Sequence, residues 1–117
     1  MNPAQSRIAE QPFEWTLTED PEPSGQVEGA IHQGLSTALH ERITIEAGGV
    51  VETNFHAYSL LRIDEAPARI DVHFVDRPDA QISGLGESAL PPVAPALANA
   101  LYRATGRRFR ELPLHLA

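Results

Sequence analysis

Cysteine is absent from the whole of this 117-residue chain. That excludes a disulfide framework, a thiolate zinc site and an iron–sulfur cluster held by the chain itself, and it fits a reducing compartment. Basic residues are scarce, nine against sixteen acidic ones for a formal net charge of −7. A nucleic-acid backbone needs a basic face, so nucleic acid is not an expected partner. Arg103, Arg107, Arg108 and Arg110 do cluster, but at an expected helix end, where cations offset exposed carbonyls. No run approaches the ~18 apolar residues of a membrane helix, and the start lacks the basic and apolar segments of a signal peptide. The expected setting is therefore the cytoplasm, away from membranes, or the periplasm if an exported partner carries the chain.

What is present is ordinary for one small domain: hydrophobic residues make up 42% of 117 positions, enough for a modest core. Residues 1–24 are polar and proline-bearing, with the acidic run TEDPEP, and read as an arm. Phe13, Trp15 and Leu17 alternate within it, as in a short strand or a hydrophobic anchor. Residues 25–117 read as the folded module. From 26 to 41, Val27, Ala30, Ile31, Leu35, Ala38 and Leu39 recur at helical spacing, with Ser24 placed to cap. Gly34 lies on the same face. Its cost of about 1 kcal/mol against alanine makes sense where another backbone packs close.

Ile43 and Ile45, then Gly48-Gly49, then Val51 and Phe55 spell a β-hairpin. Residues 69–75, RIDVHFV, alternate and predict a third strand, followed by a loop over 76–83. A second helix is expected over 92–105, with prolines tolerated in its first turn, Val93, Leu97, Ala100, Leu101 and Ala104 on its buried stripe, and Gly106 as its stop. RFRELPLHL suggests a last short strand. The order predicts an α+β domain, two helices packed on one face of a small sheet containing the hairpin.

One stretch does not read as packing alone. In SGLGESALPPVAPALANAL, residues 83–101, a single acidic residue, Glu87, stands between flexible glycines and a proline-rich helix start. On residue type alone Glu87 is a carboxylate near a helix N-terminus, where the dipole favours it; it is also a candidate for close approach to a bound group. Gln26 by itself is an ordinary first-turn residue. The five histidines are scattered over different elements without ligand spacing. Ser36 and Ser88 have no evident base, which disfavours a hydrolase.

Three segments carry a resemblance: GQVEGAIHQGLSTALHE, NFHAYSLLRIDEAP and GLGESALPPVAPALANALYRATGRRFRELPL. Together, over roughly residues 25–116, they resemble the C-terminal end of the molybdenum-cofactor-binding large subunit of the xanthine dehydrogenase and aldehyde oxidase family, nearest the isoquinoline 1-oxidoreductase beta-subunit type. That family oxidises aldehydes or electron-poor N-heteroaromatic carbons with oxygen taken from water. The resemblance implies Glu87 as the general base, Gln26 as a donor to the molybdopterin cofactor, and Gly86 as the point where backbone passes close to it.

The family's subunit is several times longer, however. Residues 1–24 do not resemble what precedes the first motif there, and Ala57 stands where relatives often carry an acid. Two readings follow. In one, the chain is a fragment or split subunit that completes a molybdenum hydroxylase by docking on the remaining molybdenum-subunit segments, alongside an iron–sulfur subunit. In the other, it is a free-standing non-catalytic interaction or oligomerisation domain, associating as a homo-oligomer. On either reading the isolated chain is expected to bind no cofactor.

Overall fold

The computed structural model describes residues 23–75, 78–79 and 84–115. Helix α1 runs Pro23–Leu39, strands β1 (Ile45–Glu46) and β2 (Gly49–Val50) form a hairpin, and helix α2 runs Val93–Thr105. Two helices and a two-stranded antiparallel sheet make a small α+β fold. The arm's Phe13, Trp15 and Leu17 lie outside the described residues.

Helix α1 buries Ala30, Gly34, Ser36 and Ala38. It starts at Pro23, whose missing N–H has no partner in a first turn anyway, so Ser24 lies inside the helix rather than capping it. At the other end the N–H groups of His40 and Glu41 both reach the Ser36 carbonyl, at 2.9 and 3.2 Å. That closes the helix two residues short of the expected Glu41.

Gly34 is where the helices meet. A Cβ on it would stand 2.7 Å from Val93 Cβ and 3.1 Å from the Leu90 carbonyl oxygen, so only a glycine admits the N-terminus of α2 this closely. Helix α2 ends as its sequence predicts: Gly106 takes φ 72° and its N–H bonds the Tyr102 carbonyl at 2.8 Å. Val93, Leu97 and Leu101 are half-buried, but Ala100 and Ala104 of the expected stripe are exposed, Ala100 because it borders an open groove.

The hairpin has the register Ile45↔Val50 and Glu46↔Gly49. Its two-residue turn, Ala47-Gly48, has φ of 48° and 79°, the doubly positive geometry that matches the twist of paired strands. The Val51 N–H to Thr44 carbonyl bond, at 2.9 Å, extends the pairing.

The expected third strand is not formed over residues 69–74, and only Val75 is in a bridge. Burial nonetheless alternates: Ile70, Val72 and Phe74 are half-buried, while Arg69, Asp71, His73 and Val75 are exposed. The period of two therefore reports which side chains face the helices, while no strand among the described residues supplies a ladder for 69–74. The last expected strand is also replaced. Pro113 and Leu114 are buried, and the Leu114 N–H is tied to the Ala38 carbonyl at the end of α1 by a 2.7 Å bond. This tail packs on a helix end and joins no strand among the described residues.

Candidate functional site

The loop that leads into α2 carries Glu87. Gly84 and Gly86 are both exposed, neither has a positive φ, and a Cβ on either would meet nothing within 4 Å. No turn and no contact within the described chain requires glycine at these two positions. Their missing side chains leave the outer side of the loop open.

Residues 86–89 form a turn closed by the Leu90 N–H to Glu87 carbonyl bond at 3.2 Å, and Val93 N–H repeats the pattern on the Leu90 carbonyl at 3.2 Å. The Ser88 hydroxyl reaches the Gly84 carbonyl at 3.5 Å, the outer limit of a hydrogen bond. The local chain thus holds the Glu87 backbone, while its exposed carboxylate has no hydrogen-bond or ion-pair partner among the described residues. Gln26 is exposed in the first turn of α1.

Beside both lies an apolar groove of about 550 Å³. Val27, Ile31 and Leu35 line it from α1, Val93 and Leu97 from α2, and Phe74 from the extended segment. Val27 follows Gln26 directly, and Ala89, two residues after Glu87, also lines the groove. The fold therefore anchors Gln26 and Glu87 beside one groove without joining their side chains. Sequence alone does not single out the groove. Its signals are the alternation of residues 69–75 and the glycine in α1, which read as core features rather than as walls of an opening.

The other polar candidates are structural. His32 Nδ1 bonds the Glu28 carbonyl at 2.7 Å within α1, and His40 Nε2 stands 3.4 Å from Glu65. Among the described residues no group of three His, Cys, Asp or Glu could hold a metal ion. Buried Ser36 accepts the Leu61 N–H at 3.0 Å and so ties the 59–63 segment to α1. Tyr58 donates to Glu41 at 2.8 Å, and that bond to a carboxylate holds its phenol above the usual tyrosine range. Glu52 accepts the Thr44 N–H at 2.7 Å, which holds its carboxyl below the usual glutamate range.

Residues 23–67 match the family described as Molybdopterin cofactor-binding domain. Over 92 residues, 79% of this chain and 12% of the relative, it is 41% identical to the beta subunit of isoquinoline 1-oxidoreductase from Brevundimonas diminuta. It is 42% identical over 89 residues to a subunit of nicotinate dehydrogenase from Pseudomonas putida, covering 76% of this chain and 7% of that one. Against the aldehyde oxidoreductase molybdenum-binding subunit PaoC of Escherichia coli it is 34% identical over 98 residues, 78% of this chain and 13% of the relative. The chain thus spans about a tenth of the length of the curated relatives it matches.

Proposed function

We propose, from the premise that the chain belongs to the molybdopterin cofactor-binding family, that it forms one wall of a molybdenum hydroxylase site when docked on segments that carry the rest. The observation that carries this reading is the Gly84–Glu87 loop: two glycines open to solvent and an unpartnered carboxylate beside an apolar groove. The residues fit one side of a large polar group. Gly86 offers exposed backbone, Gln26 an amide that donates and accepts, and Glu87 an anionic acceptor. They do not fit a metal cage, since the described residues lack three convergent ligands, and the docked segments would have to hold the metal.

When bound, the molybdenum cofactor supplies oxygen drawn from water and takes the electrons of the oxidised carbon. Glu87 would be the group that takes up a proton, on its carboxylate, during that chemistry. In the undocked chain its carboxylate is exposed, and docking would close the site around it. Gln26 orients the group by hydrogen bonds, and Gly86 lets the backbone come near without a Cβ between. The reacting group of the substrate is an aldehyde or an electron-poor N-heteroaromatic carbon. This follows the substrates named in the relatives, isoquinoline, nicotinate and aldehyde.

The test is co-purification of the chain with its cofactor-bearing partner from the native host, molybdenum analysis of the complex, and turnover for wild type and Glu87→Gln. The substitution keeps the shape and removes the acceptor, and turnover is expected to fall by about 10²–10⁴-fold. An active complex whose turnover survives Glu87→Gln overturns the assignment. A second reading, a non-catalytic interaction domain, is favoured by the exposure of Phe55 at 81% and Ile63 at 94%. Its mark is a stable complex that holds no molybdenum.

A further inference from the structure

Four arginines, Arg103, Arg107, Arg108 and Arg110, stand with one acid, Glu111, over residues 103–111, a local charge of +3 in a chain of −7. The helix end accounts for one of them. Arg103 lies in the last turn of α2, where a cation offsets exposed carbonyls. The other three follow Gly106, the residue that stops the helix, and the dipole gives no reason for them. Internal pairing gives none either. Arg103, Arg108 and Arg110 are exposed and form no ion pair among the described residues, although acidic residues outnumber basic ones in the chain.

We propose that the surface from Tyr102 to Leu112 is a docking site for an acidic segment of a partner protein, whose carboxylates pair with Arg103, Arg108 and Arg110. Three observations select this partner. The first is charge: the patch is cationic in an acidic molecule, so it draws an anionic segment to one place while the rest of the chain repels it. The second is preorganisation. The segment after α2 is held at both ends, by the Gly106 N–H on the Tyr102 carbonyl at 2.8 Å and the Leu114 N–H on the Ala38 carbonyl at 2.7 Å. The Arg108 guanidinium lies 3.6 Å from the centre of the Tyr102 ring. Stacking occupies its face and leaves its N–H edge for a carboxylate, which that edge matches in shape. Ordering the donor beforehand lowers the entropy cost of binding. The third is the apolar surround. A hollow of about 380 Å³ runs between Pro95 and Ala98 of α2 and Arg108, Arg110 and Leu112 of the tail. Leu112 is 55% exposed and Tyr102 37%. Arginine with exposed aromatic and aliphatic groups is the composition of protein interfaces. A nucleic acid or an anionic membrane would instead need a wide basic face, which a chain of −7 lacks. The inference uses neither Glu87 nor a cofactor, and its test needs neither.

The probe is a fluorescein-labelled peptide of glutamates around a central leucine, titrated with the full chain and followed by anisotropy. Saturable binding is expected despite the like net charges, weakening at least about fivefold as salt rises from about 20 to about 200 mM. Amide resonances of the wild type should shift over residues 102–112 and stay fixed in the hairpin, Ile45–Val50, a readout that needs no variant. Arg108→Glu with Arg110→Glu should weaken binding at least about tenfold, with helix content by circular dichroism retained. The control is Arg42→Glu with Arg62→Glu, which changes the net charge equally at exposed positions elsewhere. It should weaken binding less than about threefold. Absence of saturable binding, shifts confined to other residues, or equal weakening by the control pair overturns the proposal. Tighter, Arg108- and Arg110-dependent binding of an oligothymidylate of equal charge, or of phosphatidylglycerol vesicles, also overturns it and assigns the patch to that anion.

Discussion

At the scale of single residues, the turn of the hairpin holds the clearest local conflict. Ala47 sits at φ 48°, in the left-handed region, where a Cβ crowds the following carbonyl at a cost of about 1–2 kcal/mol. Nothing else in the turn needs alanine, and asparagine or glycine accepts this geometry. Ala47→Asn is therefore expected to raise the urea midpoint, by about 0.5–1 kcal/mol of stability, and Gly48→Ala to lower it. If Ala47→Asn is neutral or destabilising, the turn is not the one described. The neighbouring Glu52 sets a pH dependence. Its carboxyl lies below the ordinary value of 4.5, mainly because it accepts the Thr44 N–H. A group depressed in the folded state stabilises above its unfolded pKa and loses that contribution as pH falls through the folded one. The Glu52 share of stability is thus complete above about pH 4.5 and lost below it. Glu52→Gln should flatten stability against pH in that acid range by removing the Glu52 share, so the variant is less stable than the wild type at neutral pH and little changed at acid pH. An equally steep acid profile in the variant would mean the Thr44 bond does not bias the equilibrium.

At the scale of elements, what the sequence made legible depended on whether the cause was local. The end of α2 was readable, because Gly106 alone supplies the φ of 72° that stops a helix. The hairpin was readable from Gly48-Gly49 between alternating apolar residues, although the turn proved to be Ala47-Gly48. The strand over 69–75 was legible as a burial pattern and not as a strand, because a ladder depends on a partner that no local pattern encodes. Ser36 was illegible for the same reason: its worth comes from Leu61, twenty-five residues away. Glu87 stood out because glycines and prolines bracket it, yet its role was not readable from residue type. The helix contact at Gly34 turns this into a prediction. By propensity alone Gly34→Ala would gain about 1 kcal/mol. Its Cβ, however, would stand 2.7 Å from Val93 Cβ, and overpacking costs about 1–3 kcal/mol. The contact is with backbone and a β-branched side chain, neither of which yields easily, so net destabilisation is expected. Val93→Ala should rescue much of it, a coupling that a double-mutant cycle measures; additive losses would show that the two helices do not meet at this point.

At the scale of the whole molecule, the described chain buries little of its apolar surface. Its hydrophobic core is Ala30, Ala38 and Leu114, and no large side chain among the described residues is fully buried. Large ones face water instead: Ile45 at 71%, Phe55 at 81% and Ile63 at 94% exposed. Phe55 and Ile63 line one pocket with Tyr58 and Leu61, apart from the groove between the helices. Clustered apolar exposure marks surfaces that meet another protein, and the chain spans only 12% of the isoquinoline oxidoreductase subunit to which it is similar. In the isolated chain that surface is free to meet itself. A net charge of −7 opposes association through repulsion, which salt screens within about 10 Å at 0.1 M. Sedimentation should therefore show a dimer or larger species whose fraction rises with protein concentration and with salt. Phe55→Asp with Ile63→Lys should return it to a monomer with helix content by circular dichroism retained, because both side chains are exposed and lie outside the helices. A monomer at high concentration and high salt would refute self-association through this surface. A monomer that becomes stable only on addition of the cofactor-bearing partner would assign the Phe55–Ile63 face to that partner, since one apolar surface cannot serve both at once.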